Sequence, residues 1–161
     1  MRAVLSIGSN MDDRVELLRT VFDEFAGEIT AASPVYATPP WGVTDQDEFL
    51  NAVLIVDVEE TPKELLRRGQ KLEEAAERVR VRHWGPRTLD VDIVDIEDYT
   101  SDDPELIVPH PYAHERAFVL IPWLAADGGA RLSGEGVAKR VAALDPQERA
   151  DIRRLGMMEE L

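Results

Sequence analysis

The stretch Phe49 to Val58, FLNAVLIVDV, carries apolar residues on both faces of an extended chain. A strand buried on both faces sits inside a sheet. Asn51 breaks the apolar run between Leu50 and Ala52, and an amide buried there must find hydrogen-bond partners.

The rest of the chain supplies what surrounds that strand. Arg2 to Ile7 reads as a short strand ending in a Gly8-Ser9-Asn10 turn, after which Asp12 or Asp13 opens a helix. Val15, Leu18, Val21, Phe22 and Phe25 give that helix its apolar face, and Gly27 ends it. Val35 to Thr38 reads as the end of a second strand, stopped by Pro39 and Pro40, with a loop from Pro39 to Asp47. Thr61, Pro62 and Glu64 form a capping-box pattern with proline in the first helical position. The helix they open buries Leu65, Leu66, Gly69, Leu72 and Ala76 and carries Gln70 and Glu73 toward the arginine-rich stretch that follows. Leu89 to Ile96 is the fourth strand.

Strand, helix, strand, strand, helix, strand is the order of the ferredoxin-like arrangement. The expected class is α+β, an antiparallel sheet with helices packed on one face, plus C-terminal helices. Further on, Glu97 to Glu105 reads as a loop and Leu106 to Val108 as a short strand. Glu115 to Ala126 has helical spacing, although Pro122 argues against a long uninterrupted helix. Gly136 to Leu144 and Pro146 to Leu155 are amphipathic, and Met157 to Leu161 is expected to fray.

A chain of 161 residues with 44% hydrophobic content has material for one core, so residues 1–161 are expected to form a single domain. Its net charge of −14 argues against nonspecific nucleic-acid binding. The absence of cysteine excludes a disulfide framework, a thiolate zinc site and a thiol nucleophile. With neither a leader pattern nor an apolar run long enough to span a bilayer, the expectation is a cytoplasmic protein without membrane contact.

Against this acidity, residues 77–93, ERVRVRHWGPRTLDVDI, stand out. Arg78, Arg80, Arg82 and Arg87 surround a Trp-Gly-Pro turn, and Asp90 and Asp92 follow on one face of a strand whose other face carries Val91 and Ile93. Paired carboxylates repel unless a cation neutralises them, and magnesium held by one or two carboxylates plus substrate phosphates is the usual remedy. Arginine forks match the phosphate oxygens that the metal leaves free. Trp84, a large ring in a loop, is suited to act as a lid. An isolated Asp-x-Asp would read as the solvated face of an edge strand, but here the pair abuts the arginines across Trp-Gly-Pro-Arg-Thr-Leu.

This run closely resembles the signature of the 6-hydroxymethyl-7,8-dihydropterin pyrophosphokinase (HPPK) family. Gly8-Ser9-Asn10, Tyr36 to Pro40, Phe49 to Ala52, Val108-Pro109-His110, and Arg116 with Phe118 resemble further family motifs in family order. The resemblance implies transfer of pyrophosphate from ATP to the hydroxymethyl oxygen of a reduced pterin, with release of AMP, in folate synthesis. By that resemblance Asp90 and Asp92 hold two magnesium ions, and Arg78 and Arg87 act near the phosphates. Either aspartate could help draw the hydroxyl proton. ATP is expected against Gln70, Glu73, Arg80, His110, Tyr112 and Arg116. The pterin is expected between Phe49 and Phe118, read at its edge by Asn51, walled by Thr38, Pro39, Pro40 and Gly42, and covered by Trp84. For the aromatic residues core packing is the competing assignment. A monomer is expected.

The chain departs from the family form at three places. His83 stands where the family has arginine, in an interval from Arg80 to Trp84 that is one residue shorter, which leaves Arg82 as the candidate for that role. Glu77 replaces a frequent glycine, so the preceding helix should continue further. Trp41 replaces a small or aliphatic residue and either adds a second lid or packs against the loop. Two other classes fit parts of the pattern: a metabolite-binding module, which leaves the metal pair facing arginines unexplained, and a magnesium-dependent phosphohydrolase, which leaves the pterin pocket unexplained.

Overall fold

A computed structural model of the chain describes residues 1–10, 13–39, 48–78 and 89–161. The elements in order are β1 (Arg2–Ser9), α1 (Arg14–Glu24), β2 (Ile29–Ala32), β3 (Val35–Thr38), β4 (Phe49–Asp57), α2 (Pro62–Arg78) and β5 (Asp90–Ile96). They continue with β6 (Ser101–Asp103), β7 (Leu106–Val108), α3 (Ala117–Ala126), β8 (Arg131–Leu132), β9 (Glu135–Gly136), α4 (Val137–Ala142), α5 (Pro146–Asp151) and β10 (Arg153–Gly156). Among the described residues no helix is long and apolar enough to cross a membrane.

The main sheet runs β10-β3-β4-β1-β5, with β2 also paired to β4, and every pairing is antiparallel. β4 lies inside it, as its doubly apolar sequence requires. Alternation then sorts side chains to two faces. Ala3, Leu5, Ile7, Leu50, Leu54, Val91 and Ile93 meet Leu17, Leu18, Val21 and Leu65 from α1 and α2. On the opposite face Val4, Val53, Ile55 and Val94 meet Val119, Leu120, Trp123, Val137 and Val141 from α3 and α4. α1 and α2 thus share one face, and α3 and α4 cover part of the other.

Local chemistry fixes the helix ends. The Asp13 carboxylate accepts from the Glu16 amide at 3.2 Å. Thr61 Oγ1 accepts from the Glu64 amide at 3.2 Å while Glu64 Oε1 accepts from the Thr61 amide at 2.9 Å, completing the capping box. Arg68 on α2 stacks over the Phe25 ring at 4.1 Å and pairs with Glu24 at 2.8 Å and Glu60 at 2.7 Å, as well as with Glu28. It ties α2 to the end of α1 and the start of β2.

The structure corrects several expectations. Gly8 and Ser9 continue β1 instead of turning, because their backbones pair with β4, and Gly8 also pairs with Asp90 of β5. α1 ends at Glu24, before Gly27. The strand expected to end at Thr38 is two strands, β2 and β3, both on β4. The segment read as a loop from Glu97 to Glu105 contains β6, which finds its partner in β7. α3 runs through Pro122, whose ring is buried in the helix that packs on the sheet. The second C-terminal amphipathic stretch divides into α5 and the edge strand β10. The terminus, expected to fray, is folded onto the domain: the Met157 amide donates to Glu160 Oε1 and Met158 is buried in the core. Glu77 lies within α2, as the loss of the glycine predicts.

Candidate active site

Among the described residues, α3 and α4 cover only part of their face of the sheet. Past Val4, Val53 and Val94 the side chains on that face turn small or polar, and a cleft of about 500 Å³ opens there. It is lined by Ser6 and Gly8 from β1, Thr38 and Pro39 at the end of β3, Phe49 and Asn51 from β4, Asp90 and Asp92 from β5, and Arg116 and Phe118 at the start of α3. Strand register explains the grouping. Asn51, Gly8 and Asp90 stand in one row across β4, β1 and β5, and Ser6 pairs with Asp92. Two strand spacings, roughly 10 Å, separate β4 from β5.

Within the row Gly8 leaves room for the amide beside it: a β-carbon on Gly8 would stand 2.5 Å from Asn51 Nδ2. Asn51 is 7% exposed and donates from Nδ2 to the Ile7 carbonyl at 3.4 Å. Thr38 Oγ1 is buried in the wall and has no hydrogen-bond partner among the described residues, so a polar ligand edge would satisfy it. Phe49 and Phe118 supply the aromatic surfaces. The Arg116 guanidinium lies 5.6 Å from the Phe118 ring and 5.7 Å from that of Tyr112.

His110 comes to β5 through its backbone, which donates to Val94 O at 2.8 Å. Its Nδ1 accepts from the Tyr112 amide at 3.2 Å, leaving Nε2 as the nitrogen that carries the proton in the neutral ring. Burial pushes the imidazole below its ordinary pKa, with Asp92 opposing and Arg116 reinforcing that shift. His110, Tyr112 and Arg116 thus gather at the Asp92 side.

Gln70, Glu73 and Arg78 line a separate cleft of about 780 Å³ with Glu74, Glu77 and Leu89. There Gln70 Oε1 accepts from Arg67 at 2.8 Å, and Glu73 Oε2 accepts from the Val91 amide at 2.9 Å. The expected site therefore falls into two groups, flanking β5. Pro40, Gly42, Arg80, Trp84 and Arg87 lie outside the described residues, as do Trp41, Arg82 and His83. Sequence reasoning missed Ser6 and took Gly8 for a turn. The signal was present: small residues at 6 and 8 alternate with apolar Leu5 and Ile7 in one strand.

Among the described residues no cluster of three or more histidine, cysteine or carboxylate groups could hold a metal. Asp90 and Asp92 on one wall fit magnesium that arrives with a nucleotide, since that ion is commonly held by one or two carboxylates, substrate phosphates and water.

Residues 4–128 match the model of the family 7,8-dihydro-6-hydroxymethylpterin-pyrophosphokinase (HPPK). The chain belongs to the HPPK family. A 2-amino-4-hydroxy-6-hydroxymethyldihydropteridine pyrophosphokinase of Mycobacterium bovis is 46% identical over 94% of this chain and 88% of its own length. One from Methylorubrum extorquens is 42% identical over 90% of this chain and 94% of its own. Among solved structures, HPPK-DHPS of Plasmodium falciparum superposes with a TM-score of 0.73 at 15% identity, over 95% of this chain and 48% of that longer one, which carries the fold alone. HPPK enzymes transfer pyrophosphate from ATP to 6-hydroxymethyl-7,8-dihydropterin in folate biosynthesis, and this chain is one of them.

Proposed function

We propose that the cleft beside α3 is where the transfer occurs, with the pterin on the β4 side and the ATP phosphates on the β5 side. The observation that carries this is the register row: Asn51 and Asp90 face one cleft with only Gly8 between them. Phe49 and Phe118 would stack on the flat ring, Asn51 would donate to and accept from its edge, and Thr38 Oγ1, which has no partner among the described residues, would gain one. Thr38 and Pro39 form the described part of the wall, which Pro40, Gly42 and Trp84 would extend.

Asp90 and Asp92 would hold two magnesium ions, and bound magnesium would neutralise phosphate charge and make the β-phosphorus more electrophilic. The hydroxymethyl oxygen would form a bond to that phosphorus as the bridge to the α-phosphate breaks, releasing AMP. Asp90 and Asp92 are the carboxylates among the described residues lining this cleft, and either would be placed to help draw the hydroxyl proton. Arg116 and neutral His110 would donate to phosphate oxygens. Gln70, Glu73, Tyr112 and Arg80 would hold the rest of the nucleotide, with Arg78 and Arg87 completing the phosphate contacts.

Residues 1–161 would act as one pyrophosphokinase domain, since β10 pairs into the main sheet and Met158 joins its core; the domain would work as a monomer. Consumption of ATP and a reduced pterin accords with a cytoplasmic location. The test is AMP release from magnesium-ATP with and without the hydroxymethyl pterin. Strict dependence on the pterin is expected. Release without it would mean hydrolysis, and none under either condition would mean a binding module.

A further inference from the structure

The pterin wall ends where β3 and β4 part. Their last paired positions are Tyr36 with Asn51, Ala37 with Leu50, and Thr38 with Phe49. Strand ends of this kind fray unless something holds them. Among the described residues, one hold on this end comes from far along the chain. Arg153 of β10, in register with Ala37 of β3, reaches past β3 and grips the Glu48 carboxylate with both terminal nitrogens, at 3.0 and 3.1 Å. Arg14, the first residue of α1, donates to the Glu48 carbonyl at 2.6 Å. Glu48 is thus fixed by side chain and by backbone, one residue before Phe49 enters the cleft.

We propose that Arg153 and Arg14 are positioning residues for the pterin pocket, clamping Glu48 so that Phe49 and Thr38 keep the spacing at which the ring fits. The inference rests on the assignment of that pocket to the pterin. The clamp touches no substrate. Arg153 lies beyond residues 4–128, the span of the HPPK match, so this part of the pocket's support is supplied by a C-terminal strand outside that span. Two features separate the clamp from an ordinary surface pair. The grip is bidentate, which adds geometric specificity. It also spans three adjacent strands at the end of the wall. Arg153 holds the Glu48 carboxyl below its ordinary pKa, so both partners are charged at neutral pH.

The Arg153 side chain is 60% exposed, so removing it should barely alter melting, and the effect should fall on pterin binding. The experiment is titration calorimetry of an unreactive reduced-pterin analogue, with magnesium and a nonhydrolysable ATP analogue saturating, accompanied by thermal melts. The proteins are native, Arg153→Gln, Arg153→Glu, the double variant Glu48→Arg with Arg153→Glu, and Asn51→Ala. Arg153→Gln should weaken pterin binding about three- to fivefold, and Arg153→Glu further, as like charges meet at Glu48. The double variant should return to within about twofold of native, with ATP-analogue affinity constant throughout. If Asn51→Ala loses the pterin while both Arg153 variants bind it as the native protein does, the clamp is refuted and the pocket stands. Native affinity in Asn51→Ala overturns the pocket and the clamp with it. Equal loss of pterin and nucleotide in Arg153→Gln would show general loosening and overturn the positioning role.

Discussion

Gly8 and Asn51 face each other across β1 and β4 so closely that the smallest side chain on Gly8 would stand 2.5 Å from the Asn51 amide nitrogen. No rotation of a methyl group relieves that contact; Asn51 has to move. Gly8→Ala should therefore act as a displaced Asn51, lowering pterin affinity by about tenfold or more while the nucleotide still binds. Calorimetry with each ligand in turn reads this directly. Unchanged pterin affinity would mean that the amide has no part in recognising the ring.

Arg68 carries a stability prediction. One guanidinium, 20% exposed, serves Glu24, Glu28 and Glu60 and stacks on the buried Phe25. Arg68→Met keeps an apolar stem but leaves the carboxylates facing one another, so a loss of about 2 kcal/mol is expected, or roughly 4 to 8 °C in melting temperature. Hydrogen bonding from Arg68 lowers the Glu28 pKa below its usual 4.5, so the folded protein binds fewer protons there than the unfolded chain. That contribution is complete above pH 4.5 and is lost as acidification passes the lower folded value. Melting curves from pH 7 to pH 3 should fall less steeply for Arg68→Met. Equal slopes would remove Arg68 from the cause.

His110 offers a spectroscopic check on the charge state near Asp92. Burial and Arg116 keep the ring neutral, and Nδ1 is occupied by the Tyr112 amide. Nitrogen-resolved NMR should find the Nε2-protonated tautomer and a titration midpoint below 6.5, and Arg116→Gln should raise that midpoint. Because the folded value is the lower one, this residue's share of stability is complete above pH 6.5 and fades as pH falls through the folded midpoint. A midpoint above 6.5 would mean that the Asp92 charge outweighs burial.

What the letters revealed was what short-range physics decides. The Thr61 and Glu64 cap lies within four residues, and the division of Asp90 and Asp92 from Val91 and Ile93 follows from the pleat alone. The six-element order was enough to give the sheet, because β4 is apolar on both faces and has to lie inside it. The errors occurred where a distant partner decides. β6 exists because β7 pairs with it, and β10 because β3 offers an edge; neither run carries a strong alternation of its own. Gly8 resembles a turn residue until Asn51 is placed beside it. Pro122 fits α3 because its ring is buried, a gain that offsets the missing amide donor. In the site, the Asp90, Asp92, Asn51 and Phe49 group was legible through the family motifs, while Ser6 and the Glu48 clamp depend on register and reach.

The central claim, that Asp90 and Asp92 face the phosphates across a cleft shared with Asn51, is tested most directly by single-turnover formation of AMP and pterin diphosphate in Asp92→Ala. Asp92 lies on the cleft wall and not in either apolar core, so the variant should melt within a few degrees of native while its rate falls at least about a hundredfold. A folded Asp92→Ala protein that turns over within about fivefold of native would contradict the account and remove this wall of the sheet from the chemistry.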